Sequence, residues 1–267
     1  MPPAWTMALL AGCAAVPAAH NPQRHPTIVS LNPCTDAILA EVTAPGQLLA
    51  ISHLSHDARA TSMPLAQARQ IPATGGTVEE VLALDPDVVV ASSFSDPATM
   101  NALRRLGIRV ATVGIASTLA ESEAQVRRLA DVAGQPALGE RLVAKVDKAV
   151  ASSRRSGRRV TALVWQEGGL VPGPDTLVSQ LLANSGFASL SAARGLRQGA
   201  YLPLERVLAD PPQVIIAAGE ERMEHHPALR HLKRTRYAAL EPNLLFCGGP
   251  TIPRLAARLA ELRDGAS

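Results

Sequence analysis

Cys34, Cys247, His53 and His56 are the side chains of this chain best suited to ligate or attack another molecule. Thiolate and imidazole donors together suit soft and borderline metal ions, and a thiol next to an imidazole suits nucleophilic chemistry. Neither use has a signature spacing here. There is no CxxC or HExxH, no GxGxxG after the first strand and no GxxxxGK[ST] that would cradle a phosphate. Two cysteines in an oxidising compartment form a disulfide by default, so their placement in the fold decides between a bridge and free thiols.

The elements that position these residues alternate between strand and helix. Residues 27–31 form a short β-branched run that stops at Asn32-Pro33, and a helical pattern follows over 35–42. A second strand over 48–52 leads into a polar loop with His53, His56 and Asp57. Thr77 caps a helix over 78–84 with Glu80 three residues on, the spacing of a capping box. Asp85-Pro86 stops that helix, and residues 87–91 read as a buried strand. A helix over 98–106 with Gly107 as C-cap leads to a strand over 109–113. This alternation predicts parallel, doubly wound sheets.

The pattern then repeats. At an offset of 126 residues, Glu79-Glu80-Val81-Leu82-Ala83 falls on Glu205-Arg206-Val207-Leu208-Ala209 and Pro86 on Pro212. With no gap, Val88–Ala91 falls on Val214–Ala217 and Ala102–Leu106 on Ala228–Leu232. Two related lobes are therefore expected. Between them lie two helical stretches, 119–133 and 136–153, separated by Gly134-Gln135-Pro136. The second stretch is long enough to span about 27 Å. The arginines at 154, 155, 158 and 159 read as its solvated C-terminal end, where positive charge suits the helix dipole. The expected fold is α/β: two Rossmann-like lobes with parallel sheets, 27–117 and 158–267, joined through a helical linker over 118–157 by one long α-helix.

Composition narrows the function. The chain has 267 residues, a net charge of +3 and only 3% aromatic residues. Nucleic-acid grooves interleave clustered cations with stacking rings, so nucleic acid is not an expected partner. Residues 1–19 resemble a secretory leader, although no basic residue precedes Arg24. Leu10-Ala11-Gly12-Cys13 has the form of a lipobox, which would make Cys13 a lipidated first residue, whereas Val16-Pro17-Ala18 suits ordinary cleavage. Export is expected either way, to the periplasm or to a lipid anchor on the membrane.

Several of these blocks carry a family resemblance. The opening Ile28-Val29-Ser30-Leu31-Asn32-Pro33, the run from Gly75 to Val90, Leu103-Arg104-Arg105-Leu106-Gly107-Ile108 and Leu204-Glu205-Arg206-Val207-Leu208-Ala209 resemble the Fe/B12 periplasmic-binding family over roughly 27–262. These are helical-backbone metal-chelate receptors of ABC importers, and the layout is most similar to the vitamin B12-binding member. The resemblance implies a non-enzymatic substrate-binding protein, most plausibly monomeric, without an intrinsic cofactor. Its cargo would be a metal chelate, cobalamin-like first, then haem or a ferric siderophore, delivered to a permease dimer in the inner membrane. It also implies that Glu79 and Glu205, already paired by the 126-residue repeat, meet arginines of the permease.

In open parallel sheets, ligands sit beyond the carboxyl ends of the strands. That rule places Asn32, Cys34, His53, His56, Phe94, Trp165, Glu167, Phe246 and Cys247 at the cleft, with Tyr201 on its border. A permanent bridge between Cys34 and Cys247 would lock two facing lobes, so the expectation is free thiols that contact the cargo. His53, His56, Cys34 and Cys247 are then the candidate metal ligands, with His53 or His56 as an axial ligand to a cobalamin or haem metal. Gly168-Gly169 and Gly248-Gly249 suit close approach of a ligand to backbone. The rival reading is an exported thiol hydrolase with Cys34 as nucleophile and His53 or His56 as base; it has no third, orienting group.

Overall fold

The central strands of the first lobe are short, apolar and covered on both faces, as a parallel sheet requires. The computed structural model describes residues 25–219 and 226–266, so the leader, including Cys13, lies outside the described residues. The elements of the first lobe run β1 (Ile28–Ser30), α1 (Pro33–Val42), β2 (Leu48–Ser52), α2 (Leu65–Ala68), β3 (Ala73–Thr74), α3 (Val78–Leu84), β4 (Val88–Ser92), α4 (Pro97–Arg105) and β5 (Arg109–Val113). The sheet order is β3-β2-β1-β4-β5, all parallel. Ile28, Val88 and Val90 face a layer that contains Ile38, Leu39 and Leu129. Val29, Val89 and Ala91 face the opposite layer, with Val81 and Leu103. Asn32 starts α1 by accepting the Cys34 amide on its side-chain oxygen at 2.9 Å, and Thr77 accepts the Glu80 amide at 3.2 Å.

Two helices follow, α5 (Leu119–Val132) and α6 (Pro136–Ser153), and the second is the expected connector. Leu142 and Val143, in its first half, belong to the core of the first lobe. Val146 and Val150, one to two turns on, pack in the core of the second. The helix is thus shared by both cores, and its register ties the lobes together. Gly139 allows this packing, because a Cβ there would lie 2.5 Å from that of Ala130 on α5.

The second lobe contains β6 (Val160–Gln166), β7 (Leu170–Val171), α7 (Leu177–Asn184), β8 (Phe187–Ser189), α8 (Leu190–Ala193), β9 (Ala200–Tyr201), α9 (Leu204–Ala209), β10 (Val214–Ala218), β11 (Arg236–Ala239) and α10 (Ile252–Asp264). Its parallel sheet has the order β11-β10-β6-β8, and β7 and β9 form a separate antiparallel ribbon. The 126-residue offset carries β4 onto β10 and β5 onto β11. It fails at α4, whose counterpart, Pro227–His231, is a 3-10 turn. Phe246 and Cys247, expected at a strand end, instead follow the 3-10 turn Pro242–Leu244. A further turn, Gly249–Thr251, packs on α1, α5 and α6. This departure brings the chain of the second lobe back onto the first. Among the described residues, no helix is long and apolar enough to cross a membrane.

Candidate functional site

The carboxyl ends of the two sheets border a cavity of about 520 Å³. The first lobe contributes Asn32 and Cys34 at the start of α1, Ser92 and Phe94 at the end of β4, and residues 113–117 at the end of β5. Gln125 on α5 closes this side, and its Nε2 donates to the Gly114 carbonyl at 2.8 Å, which fixes the loop after β5. The second lobe contributes Gln166, Pro172, residues 175–178, Gln198 and residues 245–248. Phe94, Ile115 and Phe246 are 76%, 75% and 51% exposed, an unusual display for large apolar side chains. Carboxamides and hydroxyls (Asn32, Gln125, Gln166, Gln198, Ser92, Ser117, Thr176) supply the polar lining. Asp175 is the single charged side chain on the wall among the described residues.

Cys34 and Cys247 do meet on this wall, but as a disulfide, with their Cα atoms 5.2 Å apart. The expectation of free thiols is thereby corrected. It assumed that the cysteines face each other across an open cleft. They lie instead at a seam where segment 243–251 already packs on the first lobe. There the Gly249 amide donates to Ser122 Oγ at 2.7 Å, and the Ser62 hydroxyl donates to Cys247 Sγ at 2.8 Å. The bridge also removes the Cys34 thiolate that the hydrolase reading required. Gly248 and Gly249 are required by this seam: a Cβ on Gly248 would collide with Ser122, and one on Gly249 would sit 2.8 Å from Ile38 Cγ1.

The other predicted residues spread out. His53 and His56 do not line the cavity. His53 Nδ1 lies 3.4 Å from the Thr74 carbonyl, and His56 Nε2 lies 3.0 Å from the carbonyls of Ala68 and Ile71. They brace the loop after β2 on α2 and β3, so the four-residue metal set does not converge. Among the described residues no three His, Cys, Asp or Glu side chains come together to hold a metal. Trp165 is fully buried and donates its indole N–H to the Leu202 carbonyl at 3.0 Å. It is a core residue of the second lobe. Tyr201 and Glu167 are exposed but are not part of the cavity wall. Glu79 and Glu205 are exposed in the first turns of α3 and α9. Gln125, Asp175 and Gln198 were not anticipated. Ile115 was within reach of the strand-end rule, had it been applied to β5.

One buried group lies beside the wall. Asp36, in the first turn of α1, is inaccessible to solvent. Its Oδ2 accepts from the Ser55 hydroxyl at 2.6 Å and the Ser52 amide at 3.0 Å, while Oδ1 has no partner. Burial outweighs these hydrogen bonds and raises its pKa from 3.8 to about 7.

A profile of the family described as periplasmic binding protein matches residues 28–241. The chain belongs to the periplasmic binding protein family. Among proteins of curated function, none matches this binding protein by sequence alone. Its fold is similar to that of the periplasmic haem-binding protein RhuT from Roseiflexus sp. RS-1, at 22% identity and a TM-score of 0.72, over 91% of this chain and all of that one. It is likewise similar to the periplasmic haem-binding protein HutB of Vibrio cholerae (18% identity, TM-score 0.73, 90% and 99% of the two chains). The periplasmic vitamin B12-binding protein BtuF of Vibrio cholerae is similar at 18% identity and a TM-score of 0.68, over 90% and 97% of the two chains.

Proposed function

We propose that this binding protein captures a neutral, amide-bearing metal chelate of the cobalamin type in the cavity between its lobes and hands it to an ABC permease in the periplasm. The observation that carries this reading is the cavity wall: apolar rings and aliphatic side chains set among carboxamides and hydroxyls, with no cation among the described residues that line it. A corrinoid offers an apolar macrocycle ringed by amide groups, which pair with carboxamides without charge. The two carboxylates of haem and the oxyanions of a ferric catecholate would call for arginine or lysine, so both rank behind it. A cavity of about 520 Å³ takes part of such a chelate, and the exposed Phe94, Ile115 and Phe246 cover more of its face from the rim. The described wall offers no imidazole or free thiol, so the cargo metal keeps its own ligands.

Glu79 and Glu205 are the docking charges in this reading. They occupy equivalent first-turn positions on α3 and α9, one on each lobe, which suits a two-fold permease. The test is a titration with cyanocobalamin, haemin, a ferric hydroxamate and a ferric catecholate, followed by Trp165 emission. Buried Trp165 reports through spectral overlap with these chromophores and needs no contact with them. Binding of cyanocobalamin below about 10 μM supports the reading, and binding of none of the four at that level refutes it.

A further inference from the structure

We infer that the Cys34–Cys247 bridge is a reducible latch that holds one edge of the clamp shut and thereby sets how long cargo is retained. The inference rests on the reading of the cavity as the cargo site, but its geometry is independent of that reading. The bridge joins the N-terminus of α1 to segment 243–251, so it ties one lobe to the other. Around it the two lobes are held by non-covalent contacts. The Ser62 hydroxyl (to Cys247 Sγ and, at 3.4 Å, the Asn243 carbonyl), the Thr251 hydroxyl (3.4 Å to the Ser62 carbonyl) and the Gly249 amide make polar contacts at the seam. With the bridge closed, the lobes cannot part along this edge, and cargo passes by the rest of the rim. With it open, non-covalent contacts alone oppose separation along the seam: those hydrogen bonds and the packing of turn Gly249–Thr251 on α1, α5 and α6.

The two sulfurs are not equivalent. Cys34 is half-buried at the cavity wall, while Cys247 is 8% exposed, with the Ser62 hydroxyl on its sulfur. A dithiol reductant reaching in through the cavity therefore attacks Cys34 Sγ. One thiolate of the reductant forms a bond to Cys34 Sγ, the Cys34–Cys247 bond breaks, and its electron pair leaves on Cys247 Sγ. Ser62 donates a hydrogen bond to that thiolate, which then takes a proton from water. The second thiol of the reductant displaces Cys34 as a thiol and closes the reductant's own disulfide. Two electrons pass to the protein, and the reductant is oxidised. A hydrogen bond to the departing sulfur lowers its basicity and speeds exchange.

Three measurements on the full chain test this. First, hydrogen–deuterium exchange over peptides containing 61–63 and 243–251 is compared between oxidised and dithiothreitol-reduced protein. Exchange there rises at least about fivefold on reduction while α3 and α4 stay unchanged; unchanged exchange at both peptides overturns the latch. Second, the rate of reduction by dithiothreitol, read by thiol alkylation and mass, falls about three- to tenfold in Ser62→Ala and is retained in Ser62→Thr. An equal or faster rate in Ser62→Ala overturns the assignment of Cys247 as leaving group. Third, the dissociation rate of cyanocobalamin rises on reduction and in the Cys34→Ser/Cys247→Ser double variant; equal rates in all three forms overturn the link to retention. Failure of cyanocobalamin to bind the oxidised protein refutes the cargo reading and this third link with it, while the exchange experiment still decides the latch.

Discussion

Asp36 makes the stability of this protein fall as pH rises from about 4 to neutrality. Its carboxyl is fully buried, with one oxygen bonded to Ser52 and Ser55 and the other without a partner. Burial penalises the ionised form, so the native pKa is about 7 against 3.8 unexposed to the fold. The native state then holds a proton that the unfolded chain has already released, and stability contributed by the neutral acid is greatest at low pH. It is lost progressively between about pH 4 and pH 7 and levels off above that, as linkage requires. Integrating between the two pKa values gives a loss of about 2.5 kcal/mol between pH 5 and pH 8. For a domain of this size that is a fall in Tm of about 5–10 °C. Asp36→Asn cannot ionise, so it lacks this part of the pH dependence. The assay is urea unfolding followed by Trp165 fluorescence at pH 5, 6, 7 and 8 for both proteins. If wild type and Asp36→Asn lose stability in parallel over that range, the buried-acid account is wrong.

Other outcomes follow from the same structure. The Cys34→Ser/Cys247→Ser double variant lowers unfolding free energy by about 2–5 kcal/mol, because the bridge closes a loop across a sequence separation of 213 residues; the urea midpoint measures this. Gly249→Ala costs about 1–3 kcal/mol, since Gly249 has φ +60° and its Cβ would press on Ile38; thermal unfolding reads it. Phe94→Ala weakens cyanocobalamin binding about tenfold and leaves Tm unchanged, because the ring is exposed in the free protein and is buried only by cargo. Glu79→Arg with Glu205→Arg leaves cargo affinity within about twofold and reduces permease-dependent uptake at least about tenfold, measured in reconstituted vesicles.

Local patterning made much of the fold legible. Buried β-branched strands between capped helices read out as β1, β2, β4 and β5, with boundaries within two residues of those observed. The 126-residue repeat predicted the matching places of β4 and β10. α6 was legible because its apolar stripe and its flanking Gly134 and Arg154 are local features. The site was only half legible. Of the strand-end residues, Asn32, Cys34, Phe94, Phe246 and Cys247 line the cavity. Trp165 does not, because a strand side chain stands perpendicular to its sheet. Here both faces are covered, so even the penultimate residue of β6 points into a core. The histidines follow β2 as expected, but carbonyls of 68, 71 and 74 capture their rings. The disulfide was illegible for a different reason. Its partners are far apart in sequence, and only the 3-10 turns after β11, which carry no strong sequence signal, return Cys247 to α1.

The most direct test of the central claim is the equilibrium titration of the oxidised protein with cyanocobalamin beside haemin, by Trp165 quenching and calorimetry. The account predicts saturable one-to-one binding of cyanocobalamin below about 10 μM, tighter than haemin, with the cobalt absorption spectrum unchanged because the protein supplies no ligand. Tighter haemin binding with an altered iron spectrum, or no cyanocobalamin binding at that level, would contradict it.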